Sequence, residues 1–191
     1  MVSWRSGKSL SVPVAPFLPV STVRARRPHD MPDSVGPIIR RSRLVKVSIS
    51  DCARERARDI DIEDLFNRAR AAQKRAYAPY SNFRVGAALL VDSGEIITGG
   101  NVENGSYGLT ICAERSAVVR AVAEGHRDFT AIAVAGDTDR AHTLPPCGAC
   151  LQVLAEFDSE NPLVVIFPDG GLLRIACVSE LLPISFHLRN D

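Results

Sequence analysis

Two cysteines, Cys147 and Cys150, stand three residues apart in PCGACLQ, behind a proline pair. Such a C-x-x-C serves as a redox couple, as half of a structural zinc site, or as part of a catalytic metal centre. A third cysteine, Cys112, opens the segment CAERSAVVRAVAEG, and Glu114 follows it two residues on. Glu114 falls in the first turn of a helix otherwise rich in alanine and valine, where a carboxylate without a partner is costly. Beside a metal-activated water it has both a partner and a task. It takes the water's proton and then delivers protons to a substrate. Cysteines at i and i+3 on the first turn of a helix point the same way, and a helix N-terminus favours thiolate. Two such N-termini facing one ion would share the load of three thiolates. Cys112 and Glu114 lie about 200° apart on an ideal helix. Either Cys112 sits at the non-helical edge or Glu114 bends back over the metal, and both arrangements stay open here.

The competing chemistries explain less. A redox C-x-x-C calls for a thioredoxin-like βαβ context and leaves Cys112 and Glu114 without a role. A structural zinc in a binding module needs a fourth protein ligand. Cys177, His29, His126, His142 and His187 are available, but Cys177 follows an apolar strand and reads as a small core residue. The histidines lack ligand spacing. The pairing of C-x-E with P-C-x-x-C matches the zinc-deaminase arrangement: two or three cysteines on zinc and a glutamate that is not a ligand.

These residues need elements to hold them. Asp61 caps a helix whose apolar positions run from Ile62 through Leu65, Phe66, Ala69, Ala72 and Ala76, ended by Pro79. VGAALLVD and EIITGGNV flank Ser93-Gly94 as a hairpin. The helix that begins at Cys112 is buried and stops at Gly125. FTAIAVAG is a buried strand, and Gly148 to Phe157 a short helix. LVVIF and LLRIACV are strands about the turn PDGG, and Ser179 caps a final turn that ends at Pro183. The order α-β-β-α-β-α-β-β-α predicts an α/β fold, a three-layer α/β/α sandwich with the sheet covered on both faces.

Composition sets outer limits. The chain has 191 residues, 46% hydrophobic and 24% charged, with a formal net charge of +1. That balance makes no bulk case for nucleic acid or for an anionic membrane. No apolar run reaches the ~18–20 residues of a spanning helix. Five cysteines in a chain of this size argue against a disulfide scaffold and for a reducing, cytoplasmic setting, with Cys52 incidental. Residues 1–58 differ from the rest and are read as a basic leader. They hold no acidic residue before Asp30 and carry the basic run from Arg40 to Lys46. An organelle-targeting segment, a disordered leader and a start assigned too far upstream of Met31 all fit. The stretch DCARERARD is a solvated helix or a linker. Residues 59–191 form the expected catalytic domain.

APYSNFRVGAALL, GGNVENGSYGLTICAERSAVVRAVAEG, PPCGACLQVLAEF and LLPISF, spread over roughly residues 61 to 187, resemble the small homotetrameric cytidine deaminases. The resemblance implies a mixed five-stranded sheet between helices. It also implies hydrolytic deamination of cytidine and deoxycytidine to the uridines in pyrimidine salvage, with release of ammonia. One zinc per subunit would sit on Cys112, Cys147 and Cys150. Hydroxide on that zinc would attack C4, with Glu114 shuttling protons. Asn101 and Glu103 would bind the ribose 3′-hydroxyl, and a carboxylate there suits a nucleoside and repels a nucleotide phosphate. Phe83 would pack against the base, and the Ala113 backbone would bond the pyrimidine edge. Tyr107 and Phe186 would reach sites across subunit boundaries. Arg115 would donate to the thiolate sulfurs. Three thiolates leave zinc at −1, and withdrawing that charge restores acidity to its water. Blasticidin S deaminases share the three cysteines and the glutamate but lack the following arginine and the N-x-E pair. Polynucleotide and deoxycytidylate deaminases usually carry His-x-Glu.

Overall fold

A computed structural model describes residues 46–137, 142–158 and 161–188. Six strands form one mixed sheet in the order β1-β6-β5-β4-β2-β3. They are β1 Val47–Ile49, β2 Val85–Val91, β3 Ile96–Gly100, β4 Phe129–Gly136, β5 Val164–Asp169 and β6 Leu172–Cys177. The helices are α1 Asp51–Arg56, α2 Ile62–Gln73, α3 Ala113–Ala123, α4 Gly148–Ala155 and α5 Val178–Leu181. Strands β2 and β3 form the expected hairpin, while β4 and β5 run parallel.

Alternation along the strands makes two cores. Ala87, Leu89 and Val91 of β2, with Val165 and Phe167 of β5, pack towards α3 and α4. Ala88, Ala131, Ala133, Val164 and Ile166 pack on the other face against Ala53 of α1 and Leu65 and Ala69 of α2. The register of β2 against β4 slips between Leu90 and Val91, so Val91 faces Phe129 while Leu90 faces Ala131. The extra residue is Thr130. This bulge breaks the period of two and turns Phe129 into the α3 core, although Ala131 and Ala133 face α2.

Local signals explain the ends of the elements. Asp61 caps α2 by accepting from the Asp64 N–H at 3.0 Å. Gly125, at φ +100°, follows α3 where a side chain would be strained. Gly170 and Gly171, both at positive φ, make the β5–β6 turn. Pro168 and Asp169 therefore extend β5 instead of belonging to the turn.

The sandwich matches the sequence reading, with three differences. The sheet has six strands, not five, because Val47–Ile49 pairs parallel with Leu173–Ile175 of β6. The structured body therefore reaches back into the segment assigned to a 1–58 leader, and DCARERARD opens as helix α1. The basic residues before Lys46, and the targeting reading built on them, lie outside the described residues. Second, α5 is capped at Cys177 instead of Ser179, with the Glu180 carboxylate accepting the Cys177 N–H at 2.8 Å. Third, Cys52 is not incidental. It is disulfide-bonded to Cys177 across a sequence separation of 125, the Cα atoms 6.2 Å apart. Cys177 is buried in the core as expected. The β1–β6 pairing sets the first turn of α1 over the end of β6, and spacing along the chain carries no trace of that. Ser50 adds a hydrogen bond to Glu180 at 2.6 Å, so the N-terminal segment holds the root of α5 twice.

Glycines allow the helices to close on the sheet. A Cβ at Gly99 would stand 2.5 Å from both the Ala113 carbonyl oxygen and the Ala117 nitrogen of α3. On the opposite face, one at Gly86 would overlap the backbone of α2 at Ala69 and Gln73. Backbone cannot give way as a side-chain tip can. Gly99→Ala is therefore expected to cost about 1–3 kcal/mol in denaturant unfolding. Gly108→Ala, which would meet nothing within 4 Å, should stay within about 0.5 kcal/mol.

Candidate active site

The segment between β3 and α3 is held as a short extension of the sheet. Val102 and Ile111 exchange backbone hydrogen bonds at 2.9 and 3.0 Å, and Tyr77 donates to the Asn101 carbonyl at 2.9 Å. This pairing delivers Cys112 in an extended conformation, φ −70° and ψ 156°, as the N-cap of α3. Of the two arrangements left open for Cys112 and Glu114, the first holds: the cysteine sits at the non-helical edge. Glu114 occupies the second helical position and is 5% exposed.

The loop before α4 is pinned in a similar way. The Leu144 N–H donates to the Pro168 carbonyl at 2.9 Å, and Thr143 donates to Asp169 at 2.5 Å. Cys147 then caps α4 with φ −69° and ψ 163°, and Cys150 is the third residue of that helix, fully buried. Cysteines at the cap and third positions turn both sulfurs to one side.

The three thiols meet. Cys112 Sγ lies 4.0 Å from Cys147 Sγ, which is 3.5 Å from Cys150 Sγ. Tetrahedral zinc with Zn–S bonds of about 2.3 Å places its sulfurs about 3.8 Å apart. The spacing thus fits one zinc ion, and the ligand chemistry fits as well. Among the described residues, the group of potential ligands here contains these three cysteines alone. Cys177 is consumed by its disulfide, and His126 stands with Glu95 and Glu124 in a separate cluster. The arrangement offers three protein ligands and one position for a small molecule, the pattern of a catalytic zinc site.

Electrostatics demand a counter-charge. A thiol hydrogen bond from Cys150, and after it the Arg115 guanidinium, draw Cys112 down to about 5 against the effect of burial. Cys150 is pushed up by its hydrogen bond with Cys112, by burial and by the Glu114 charge. Three thiolates this close cannot coexist without a cation. Burial, and then the charge on Cys112, raise Glu114 above the usual carboxylate range, which suits a group that must take and return protons. Arg115 donates from Nη2 to Cys112 Sγ at 3.3 Å and to the Thr110 carbonyl at 3.4 Å. Its buried Nε has no hydrogen-bond partner among the described residues.

The other sequence-predicted residues differ in how firmly the chain holds them. Asn101 is 8% exposed, and its carboxamide is engaged by backbone. Its oxygen accepts from Val85 at 2.8 Å and its nitrogen donates to Phe83 at 3.0 Å. One N–H and one lone pair remain for a ligand. Glu103 accepts from the Tyr80 and Ser81 N–H groups at 2.9 and 3.2 Å, and from the Ser81 hydroxyl. The Ser81 bond, ahead of the two backbone bonds, holds it below its ordinary range. The Phe83 ring is half-buried beside Gly136 at the end of β4. Ala113 is buried, and its N–H, first in α3, has no partner within the helix. Tyr107 is 77% exposed and meets Tyr80 edge to face, ring centres 6.2 Å apart. Phe186, 70% exposed, lies in the C-terminal segment.

Two side chains that hold candidate site residues by hydrogen bonds escaped the sequence reading. Ser81 accepts from the Phe83 N–H at 3.0 Å while bonding Glu103, so it ties the candidate base contact to the candidate sugar contact. A serine two residues before its target is a local turn signal, visible but unremarked. Gln152, two residues after Cys150, holds both backbone groups of Phe186. Its trace in the sequence is a lone amide in an apolar helix.

Residues 60–166 match the profile of the cytidine and deoxycytidylate deaminase zinc-binding region. The cytidine deaminase of Halalkalibacterium halodurans is 50% identical over 127 residues, which cover 66% of this chain and 95% of that protein. The crystal structure of cytidine deaminase from Burkholderia pseudomallei superposes with a TM-score of 0.62 at 45% identity, over 66% of this chain and all of that one. The blasticidin-S deaminase of Bacillus cereus is more distant, 32% identical over 108 residues, 53% of this chain and 76% of that protein. Three convergent cysteines, a buried glutamate beside them and a matched region that spans all of these residues agree: the chain belongs to the cytidine and deoxycytidylate deaminase zinc-binding family.

Proposed function

We propose that this protein is a zinc-dependent cytidine deaminase that hydrolyses cytidine and deoxycytidine to uridine and deoxyuridine, releasing ammonia. The observation that carries the reading is the meeting of Cys112, Cys147 and Cys150 at two helix N-termini, with Glu114 buried at the same place. Zinc bound by the three thiolates, one per subunit, would supply Lewis acidity that brings a water's pKa towards neutrality.

The remaining work falls to this chain's own residues. A Glu114 carboxylate oxygen takes a proton from the water that adds to C4 and delivers it to N3. It then carries the second proton to the departing amino group. The Ala113 N–H binds the pyrimidine edge. The anchored Glu103 carboxylate accepts the ribose 3′-hydroxyl, with Asn101 beside it. A fixed negative charge at that point repels a phosphorylated sugar and favours a nucleoside. Phe83 packs on the base, and Arg115 withdraws charge from Cys112.

A homotetramer with sites completed across subunit boundaries is supported by the exposed apolar side chains near the site. Tyr77, Tyr80, Val102, Tyr107, Leu109 and Ile111 are 42–77% exposed. Phe186 and Tyr107 act on a neighbouring copy in this reading. A place in pyrimidine salvage follows from a nucleoside substrate. No helix of the described residues is long and apolar enough to cross a membrane. Three thiols kept free for metal support a cytoplasmic setting, while the Cys52–Cys177 bond points the other way.

Turnover on cytidine is expected to exceed that on cytidine monophosphate and on single-stranded DNA by at least about 10²-fold. Preference for either phosphorylated substrate would overturn the reading. Glu114→Gln should retain zinc by elemental analysis yet lose more than about 10³-fold in kcat, because one carboxylate serves several proton transfers. Arg115→Gln should keep most of its zinc and lose about 10–100-fold in kcat, the usual cost of removing a group that orients a metal ligand. Unchanged turnover in that variant would remove Arg115 from the mechanism.

A further inference from the structure

Helix α4 carries more than two thiols. Gln152 stands one residue past Leu151 and two past Cys150, and its carboxamide closes on a single residue 34 positions away. Its Oε1 accepts the Phe186 N–H at 3.0 Å, and its Nε2 donates to the Phe186 carbonyl at 2.7 Å. Both polar ends of the amide read one residue's backbone, as a neighbouring strand would. The clamp fixes the Phe186 backbone and leaves the ring 70% exposed.

Few other hydrogen bonds hold this segment. After Leu182, whose N–H donates to the Val178 carbonyl at 2.8 Å, residues 183–188 make few hydrogen bonds. Among the described residues, the Gln152 pair is the only set that joins them to the rest of the chain. The remaining bond is local, between Ser185 and His187 at 2.6 Å. Ile184 and Leu188 on either side of Phe186 are 90% and 77% exposed. An apolar segment with one clamp in its middle has a defined direction only while that clamp holds.

We propose that Gln152 is a positioning residue for substrate binding. It fastens the C-terminal segment to the helix that carries Cys147 and Cys150, and so sets where the Phe186 ring stands at a neighbouring copy's site. The inference rests on the reading that Phe186 stacks on the base there. Gln152 itself touches neither substrate nor metal. Its removal acts on binding through Phe186, and the proton transfers at Glu114 stay as they were. Gln152→Leu keeps the volume and removes both hydrogen bonds. Gln152→Glu keeps an acceptor for the Phe186 N–H but sets a carboxylate against the Phe186 carbonyl.

The test measures kcat and KM for cytidine, per bound zinc, in full-length Phe186→Ala, Gln152→Leu, Gln152→Glu and the Gln152→Leu/Phe186→Ala double variant. Base–aromatic stacking losses predict a rise in KM of about 5- to 100-fold for Phe186→Ala. Both Gln152 variants should raise KM by at least about 5-fold with kcat per zinc within about 3-fold of wild type. The double variant should be no worse than Phe186→Ala alone, since the two substitutions remove one interaction. Unchanged KM in Phe186→Ala would sink the stacking reading, and this proposal with it. If Phe186→Ala raises KM while either Gln152 variant leaves it unchanged, the stacking reading stands and Gln152 is not its support. Additive losses in the double variant, or a fall in kcat per zinc without a rise in KM, would also overturn the assignment.

Discussion

Three sulfurs within 4.8 Å of one another are a concentration of incipient negative charge that a folded chain does not assemble without compensation. Much of this structure supplies that compensation. Two helices, α3 and α4, begin at the same place and turn their unpaired N–H groups towards it. Arg115 reaches Cys112 from the first turn of α3. The remaining deficit defines the site as a cation centre, and the sulfur spacing fits zinc. Glu114 belongs to the same balance. Burial, and then the negative Cys112 beside it, keep its affinity for protons high, which makes its own burial tolerable.

The scaffold has to hold two helix starts in register to within a few tenths of an ångström. It does this with backbone, which is stiffer than side chains. Cys112 is delivered by the Val102–Ile111 pairing and Cys147 by the Leu144–Pro168 bond. The missing side chain at Gly99 lets α3 descend onto the sheet until its backbone is in contact with β3. Beyond the centre, short polar side chains extend the order. Ser81 binds Phe83 to Glu103, and Gln152 binds the C-terminal segment to α4. Of these two ties, the one at Gln152 starts from the helix whose first turn carries Cys150.

The N-terminal segment shows how an edge is handled. Strand β1 covers the open side of β6, and α1 folds over the core that faces α2, with Ala53 fully buried. The edge of the sheet is thereby moved to a strand of three residues, too short to template another chain well. The Cys52–Cys177 bond and the Ser50–Glu180 hydrogen bond fix the same corner, from which α5 and the C-terminal segment depart. Strand β1 and helix α1 precede residue 60, where the family match begins.

Strong local signals made most elements legible. FTAIAVAG is β4 from end to end, Gly125 stops α3, and Asp61 caps α2. The convergence of Cys112, Cys147 and Cys150 was legible for a similar reason: C-x-E and P-C-x-x-C are short motifs whose chemistry is set by residue type. Short, polar or basic stretches hid the rest. Val47–Ile49 is too brief to show a period, and only its partner β6 makes it a strand. Cys52 and Cys177 are far apart in the chain, so their pairing depends on that strand. Asn101 was expected at the sugar from its motif, and nothing in that motif shows that its carboxamide also bridges Phe83 and Val85, which only the third dimension places beside it. Residue chemistry and local periodicity, both carried by neighbours along the chain, determined the class of reaction and the sandwich. Tertiary structure decided the conformation of Cys112, the sixth strand and the supports at Ser81 and Gln152. The physical reason is that these depend on backbone groups brought together from distant segments, whose hydrogen bonds leave little pattern in the order of the residues.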